Sequence, residues 1–467
     1  MKIEDLKEKR ILILGLGKEG LSSYKFLRDL FPEKEIGLAD QKMIEDLSSD
    51  FREAISEDNN YKLHLGADYL DVLRDYDVII KSPGINPRLY GIEQALEKGV
   101  VLTSNTKIFF ENRKGFIIAV TGSKGKSTIC SMLYEMLRRD DFKVSLIGNI
   151  GFSALDYLKH DSEDRYYVFE ISSYQLEDFD NYPDIGVFTS FFREHIDYHK
   201  NEDNYFEAKT HLFKRMPESG VIFFNGNNKR ISNYIENLTP KKIDFLDTKK
   251  HNLARIINNN KVRKIKLDEG FVLDKDKVKL LGNHNLANII CAAKIARFLG
   301  VADETVLEVA ENFSGLKHRL EFVGRYKSID FYDDAISTTP ESTMAAIEAF
   351  DGKISTLILG GMDRGYDFKK LAKMILHKQI ENLILFPDSG EVIWKDIKSI
   401  AKSIDGLLPK LPKHYFVTDM KSCVEKAYKV TRKNKICLLS CASPSFGIFK
   451  NFEDKGNQFV EYIHELS

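Results

Sequence analysis

The apolar run Phe116-Ile117-Ile118-Ala119-Val120 leads directly into Thr121-Gly122-Ser123-Lys124-Gly125-Lys126-Ser127-Thr128, and then into a helical pattern ending near Arg138. Strand, glycine turn and helix in that order open a parallel α/β layer, because parallel strands need a crossover to return the chain. The turn also aims several backbone N–H groups and the positive end of the helix dipole at one point, where a phosphate can sit. Lys126 is then placed to reach the β/γ-phosphates and Ser127 to bind magnesium. The spacing is shorter than the general Walker pattern, with Gly122 opening the turn. Taken alone the stretch also reads as plain scaffold, so its neighbours must decide.

The chain has 467 residues, too many for one core, which suggests three domains of ordinary size. Lys+Arg 69 against Asp+Glu 70 leaves a formal charge of -1, so composition points away from nucleic acid and membrane surfaces and toward a small-molecule partner. Five cysteines (Cys130, Cys291, Cys423, Cys437, Cys441) form no CxxC pair and fit reduced thiols. Cys437 and Cys441 are expected to be buried rather than to hold metal. The N-terminus does not resemble a signal peptide, and no segment is apolar for long enough to span a bilayer. The expectation is a soluble, cytoplasmic monomer without membrane insertion.

Strand-like runs and helical patterns alternate along the whole chain. The first series is Ile11–Leu14, Ile36–Ala39, Val78–Lys81 and Val100–Thr103, with a helix over Leu21–Leu30. The second starts at Phe116 and continues through Lys143–Ile147, Tyr166–Ile171, Ile185–Thr189 and Gly220–Asn225. A Lys-, Asn- and Asp-rich stretch over 227–281 reads as a peripheral elaboration, and a helix over Asn285–Leu299 closes the domain at Gly300. The third series is Ile329–Tyr332, Ile354–Leu359, Leu383–Phe386, His414–Val417 and Lys435–Leu439. Such alternation predicts an α/β fold of three tandem domains: residues 1–104, Rossmann-like; 105–315, a central P-loop ATPase-like domain; and 316–467, Rossmann-like.

Other constellations fall at strand ends. Gly15-Leu16-Gly17-Lys18-Glu19-Gly20 follows the first strand in the form of a dinucleotide fingerprint, with Asp40 at the end of the second. It reads as a nucleotide turn or as a plain tight turn. Glu170 ends the strand beginning at Tyr166, where a phosphate-bound magnesium needs a carboxylate. His195, Asp197 and His199 alternate and form either a metal site or a solvated loop, with Lys209 in the helix beyond. Asn285 and Asn288 share one helical face. Lys317-His318-Arg319 places a fixed cation near a domain joint, while Asp333-Asp334 and Gly360-Gly361-Met362-Asp363-Arg364-Gly365 each follow a strand.

The order TGSKGKST, GNIG (Gly148–Gly151), EISSYQLE, HIDYH with a following lysine, HNLAN (His284–Asn288), GLKHRLE, DDAISTTPES, LGGMDRG and SPSFGIFKNFEDKGNQF resembles the Mur ligases along essentially the whole chain, and among them the glutamate-adding members. The resemblance implies an enzyme, an ATP-dependent carboxylate–amine ligase of cytoplasmic peptidoglycan precursor synthesis. ATP phosphorylates the carboxylate of UDP-N-acetylmuramoyl-L-alanine, and the amine of glutamate attacks the acyl phosphate. It implies an ATP site of Gly122, Ser123, Lys124, Gly125, Lys126, Ser127, Thr128, Asn285, Arg319 and Asp334. Two Mg2+ ions are expected, on Ser127 and Glu170 and on Glu170, His195 and Lys209, with Lys209 carbamylated. Catalysis falls to Lys126, Glu170, His195 and Lys209. Gly17, Gly20, Asp40, Ser82, Gly84, Asn149 and Ser172 match the UDP-substrate pocket, and Thr338, Arg364, Ser445 and Phe452 the surroundings of the amino acid.

Two departures concern the acceptor. Ile336 stands where a lysine is common in the glutamate-adding members, and Arg364 where some have lysine. The resemblance favours D-glutamate, with L-glutamate the alternative. Two readings from other classes compete: a nicotinamide oxidoreductase, resting on the first glycine motif, and a P-loop module that binds ATP without ligation.

Overall fold

The computed structural model describes residues 1–249, 253–257, 259, 263–268, 271–280, 282–350, 352–403, 411–445 and 447–467. Part of the 227–281 stretch therefore lies outside the described residues. The chain divides into two compact units, one of residues 1–278 and 283–312, the other of 279–282 and 313–467.

The first unit holds two parallel sheets. One is five-stranded in the order β3-β2-β1-β4-β5, with β1 Ile11–Leu14, β2 Ile36–Asp40, β3 Tyr61–Leu65, β4 Val78–Lys81 and β5 Val101–Thr103. The other is six-stranded in the order β11-β10-β9-β6-β8-β7, with β6 Phe116–Thr121, β7 Val144–Gly148, β8 Tyr166–Glu170, β9 Ile185–Phe188, β10 Val221–Phe224 and β11 Lys241–Asp244. The inner strands β1, β4, β9 and β10 are buried along their whole length, as expected of parallel strands covered on both faces. A short antiparallel pair, β12 Lys264–Asp268 and β13 Phe271–Asp274, stands apart from both sheets.

The two sheets share one hydrophobic cluster running from Leu6 to Ile235. Helix Asn105–Asn112, capped by the Ser104 side chain, seats Phe109 on Tyr167 at 4.9 Å and Phe110 on Phe169 at 5.4 Å between ring centroids. The stretch between the first and second strand series is thus a packed element rather than a linker.

The second unit carries one six-stranded sheet, β14-β15-β19-β16-β17-β18. Its strands are β14 Glu321–Tyr326, β15 Ile329–Asp333, β16 Ile354–Gly361, β17 Asn382–Asp388, β18 Lys413–Phe416 and β19 Ile436–Leu439. Only β14 pairs antiparallel to its neighbour. Five strands lie outside the runs read from sequence: β3 and β14, which were not expected, and β11, β12 and β13, which fall in the stretch read as peripheral, where β11 nonetheless joins the central sheet. All five cysteines are buried and free. Among the described residues no helix is long and apolar enough to cross a membrane.

Candidate active site

β6 lies between β9 and β8 in the central sheet, so its loop emerges where both neighbours can hold it. Ser123 N–H donates to the Ser190 carbonyl at 2.8 Å, and Lys124 N–H donates to Ser190 Oγ at 2.8 Å. Thr189 Oγ1 and Ser190 Oγ both donate to the Lys124 carbonyl, at 2.6 and 2.9 Å. Gly125, at φ +89°, immediately precedes helix Lys126–Arg139; a Cβ there would stand 2.4 Å from Asn288 Oδ1, so only glycine fits beneath helix Asn283–Phe298. Asn288 Nδ2 donates to Asn285 Oδ1 at 3.0 Å, which confirms their shared face. Ser127 is half-buried and Thr128 buried.

Two lysines converge on one carbonyl of this loop. Lys126 Nζ donates to the Gly122 oxygen at 2.9 Å and to that of Ser123 at 3.2 Å; Lys209 Nζ, from helix Glu202–Lys214, donates to the Gly122 oxygen at 2.9 Å. Lys209 is 1% exposed, its amine 4.6 Å from the Tyr205 ring centroid. Burial first, then the neighbouring Lys126 charge, hold its pKa well below the ordinary lysine value, against the pull of Glu194 and Glu170. The neutral amine is correspondingly favoured.

Glu170 stands opposite Val120 in the β6–β8 register and is 1% exposed. Its Oε1 accepts from Asn149 Nδ2 at 3.1 Å, while Oε2, equally buried, has no hydrogen-bond partner among the described residues. A buried carboxylate oxygen without a partner costs free energy unless a cation or donor meets it. The donor set of Glu170 and the Ser127 hydroxyl suits a hard, oxygen-seeking divalent ion. His195, exposed and left-handed at φ +54°, has Nδ1 3.0 Å from the Tyr174 hydroxyl. Desolvation lowers its pKa, Glu194 opposes this, and Lys209 and Lys126 add to it, so the ring favours its neutral, ligating form.

The alternation of His195, Asp197 and His199 does not make a three-ligand metal site. His199 is fully buried, with Nδ1 3.0 Å from Glu177 Oε2 and Nε2 3.0 Å from Ser173 Oγ. Ser172 serves as a helix cap in a reciprocal capping box with Gln175.

At the N-terminal sheet, the order β2-β1-β4 brings Asp40, the Gly15–Gly20 turn and Ser82 to neighbouring carboxyl ends, the position where ligands of open α/β sheets bind. Leu16 and Lys42 N–H donate to Asp40 Oδ2 and Oδ1 at 2.7 and 2.9 Å, and Ser82 Oγ donates to the Gly15 carbonyl at 2.7 Å. A Cβ at Gly20 would lie 2.2 Å from the Gly15 oxygen, whereas among the described residues nothing stands within 4 Å of one at Gly17 or Gly84. Gly20 therefore serves the tight turn, and Gly17 and Gly84 leave room beside it.

A polar chain that the sequence reading missed ties this turn to the central domain. Gln175 Nε2 donates to Glu19 Oε1 at 2.9 Å, and Arg88 meets Glu177 at 2.6 Å, which in turn holds His199. Burial pushes the Glu19 pKa up to about 7, against its bond from Gln175 and the charges of Lys81 and Lys18. Glu19 sat inside the glycine motif and Gln175 and Glu177 inside SSYQLE, yet only the packing of the two sheets pairs them.

In the second unit, Asp334 follows β15 and is 2% exposed, accepting from Leu320 N–H at 3.2 Å and Ser440 Oγ at 2.7 Å. Burial raises its pKa to about 6, opposed by its bonds to Ser337 and Ser440. Arg319, Thr338 and Phe452 are half-buried, and Ser445 is buried with its Oγ unpartnered among the described residues. The Gly360–Gly365 loop is tied to the one after β19 by Gly360 N–H on the Cys441 carbonyl at 2.9 Å and Met362 N–H on that of Pro444 at 3.0 Å. Arg364 is exposed and makes no ion pair among the described residues.

Three family models match in succession: the Mur ligase MurD-like N-terminal domain over residues 9–104, the Mur ligase middle domain over 120–296 and the Mur ligase glutamate ligase domain over 318–443. The chain is 31% identical over 464 residues to the UDP-N-acetylmuramoylalanine--D-glutamate ligase of Clostridium botulinum, covering 99% of this chain and 98% of that one. It is 30% identical over 465 residues to the enzyme of the same name from Ruminiclostridium cellulolyticum, covering 99% and 98%. Among solved structures, UDP-N-acetylmuramate-alanine ligase MurC of Thermotoga maritima superposes with a TM-score of 0.57 at 16% identity, covering 98% of this chain and 100% of that one. MurF ligase of the same organism in complex with ADP gives 0.55 at 15% identity, covering 100% and 98%, which speaks to the fold. The oxidoreductase and non-ligating readings give way, and the chain belongs to the Mur ligase family, as an ATP-dependent ligase of peptidoglycan precursor synthesis.

Proposed function

We propose that the chain joins D-glutamate to the terminal carboxylate of UDP-N-acetylmuramoyl-L-alanine, with ATP supplying the activation. The observation that carries the reading is the phosphate loop itself: Lys126 and Lys209 on one loop carbonyl, and the unpartnered Glu170 oxygen on the adjoining strand. A free carboxylate does not form an amide unaided, so phosphoryl transfer to it must come first, and fixed cations stabilise the charge that grows on the phosphoryl oxygens.

In this reading the backbone of Gly122 to Thr128 cradles the phosphates and Lys126 turns from its loop carbonyls to the transferring group. Ser127 and Glu170 would hold one magnesium ion, and Glu170, His195 and Lys209 a second; when bound, Mg2+ would neutralise negative charge on the phosphates. The depressed basicity of Lys209 supports its carbamylation, since the neutral amine is the form that adds carbon dioxide. Asn285, Arg319 and Asp334 are assigned to the nucleotide, Gly17, Gly20, Asp40, Ser82, Gly84, Asn149 and Ser172 to the UDP-substrate, and Thr338, Arg364, Ser445 and Phe452 to the amino acid, all from the resemblance. Domain limits at 104/105 and 315/316, a monomeric state and a cytoplasmic site of action belong to the same proposal.

The test is phosphate release from ATP with UDP-N-acetylmuramoyl-L-alanine, compared across D-glutamate, L-glutamate and no amino acid. Release that depends on D-glutamate is expected. Dependence on L-glutamate overturns the hand of the acceptor, and indifference to any amino acid overturns the acceptor assignment.

A further inference from the structure

Three stretches distant in sequence meet in the second unit around one imidazole. His318 is 5% exposed and left-handed at φ +62°. Its Nδ1 lies 2.7 Å from Asp333 Oδ2, its N–H donates to Glu321 Oε2 at 2.7 Å, and its carbonyl accepts from Ile336 N–H at 3.1 Å. Asp333 Oδ1 accepts from Ala335 N–H at 2.9 Å, so both carboxylate oxygens are engaged. Helix Phe452–Glu465 closes over the pair: a Cβ at Gly456 would stand 2.1 Å from Nδ1 and 2.6 Å from Asp333 Oδ2.

Ligand atoms of His318, Glu321 and Asp333 lie within 4.8 Å of one another, the arrangement of a small cation site. Each is already spent on the others or on backbone, so the cluster works as a clamp. What it clamps is Arg319. On one side His318 is fixed to Asp333; on the other, Leu320, also left-handed at φ +46°, donates its N–H to Asp334 at 3.2 Å. Two non-glycine residues in that conformation, one on each side of a single arginine, persist only where the surroundings over-determine them, and such strain gathers at functional positions.

We propose that His318 and Asp333 are a positioning pair that sets the direction of Arg319 for its part in the reaction. The inference rests on the assignment of Arg319 to ATP made above. It explains why the GLKHR, DD and DKG stretches occur together: the imidazole, the carboxylate and the absent side chain of Gly456 form one joint.

The test is a kinetic cycle of His318→Ala, Arg319→Ala and the double variant, with ATP and UDP-substrate varied in turn, beside His318→Asn. Losing a buried hydrogen bond that aims a charged group is expected to cost His318→Ala about tenfold in kcat/KM for ATP. KM for the UDP-substrate stays unchanged. The double variant falls no further than Arg319→Ala, and His318→Asn, at ease in the left-handed conformation, recovers most of the loss. Multiplicative losses in the double variant, or a lowered Tm with unchanged ATP kinetics, overturn the positioning role. If Arg319→Ala leaves ATP kinetics unaltered, the nucleotide assignment fails first and the pair has nothing to aim. Should His318→Ala not fold, Asp333→Asn takes its place in the same cycle.

Discussion

The phosphate loop and the proposed acceptor site are built from opposite materials. Around β6 the groups assigned to chemistry are fixed by backbone: Gly122 and Lys124 carbonyls collect side-chain donors, Glu170 is buried in register with Val120, and Gly125 lies under Asn288. In the second unit the groups assigned to glutamate are looser. Arg364 is exposed, Thr338 and Phe452 are half-buried, and the Ser445 hydroxyl is enclosed, without a partner among the described residues. In the proposed assignment, activation of the carboxylate would thus be part of the core, whereas selection of the amine would rest on side chains that can change without disturbing the sheet. Ile336 shows this: its N–H is held by the His318 carbonyl, and the backbone there does not depend on what side chain follows.

If that contrast is right, Lys126→Ala removes activity by roughly 10³–10⁵-fold, the range for a lost charge on a transferring phosphoryl group, with Tm little changed. Turnover within tenfold of wild type would show that the loop is scaffold after all. Lys209→Ala should lose roughly 10²–10³-fold, as for one electrostatic contact in a dry site, and a short carboxylate added in solution should restore part of it. An unmodified Lys209 still bonded to the Gly122 carbonyl in a structure determined with bicarbonate would remove the carbamate from the account.

On the looser side the effects shrink and change kind. Arg364→Ala should raise the KM for glutamate about tenfold, the worth of a hydrogen bond to a charged group, and leave the KM for ATP within about twofold. Equal effects on both substrates would erase the division of labour. Smallest is a stability effect at Glu19. Its pKa rises from 4.5 to about 7 on folding, so the native state holds the proton more tightly and this contribution to stability declines as pH climbs through that interval. Glu19→Gln keeps an acceptor for Gln175 and should flatten the decline, by at most about 1.4 kcal/mol per pH unit, in urea titrations from pH 4.5 to 7. A variant that tracks wild type across that range places the proton elsewhere.

Sequence made the phosphate loop legible because strand, turn and helix are contiguous, and β1, β4 and β6 announce themselves as apolar runs, broken only by the terminal Lys81 of β4 and Thr121 of β6. β3 was missed because Tyr61–Leu65 is a half-buried edge strand carrying Lys62 and His64. β14 was missed because Gly324 and Arg325 interrupt it at a register shift. Among site residues, Glu170 and Lys126 follow from position on their own elements. The pairing of Glu177 with His199, which disposes of the alternating-histidine metal site, joins elements from two parts of the fold, as does the meeting of His318, Asp333 and Gly456. No local pattern encodes those distances; they exist only after the sheets have packed.

The hydrophobic cluster common to the first two sheets has a consequence for how the chain can be divided. Family matching sees three modules, but Phe109 and Phe110 belong to the core of both neighbours, and the N-terminal and central sheets count as one compact unit. Modules of descent and units of cooperative melting should therefore differ here. Scanning calorimetry should resolve two transitions and not three, and a fragment ending at residue 104 should emerge as a sticky, partly ordered piece, whereas one beginning near Phe313 keeps a complete core of its own.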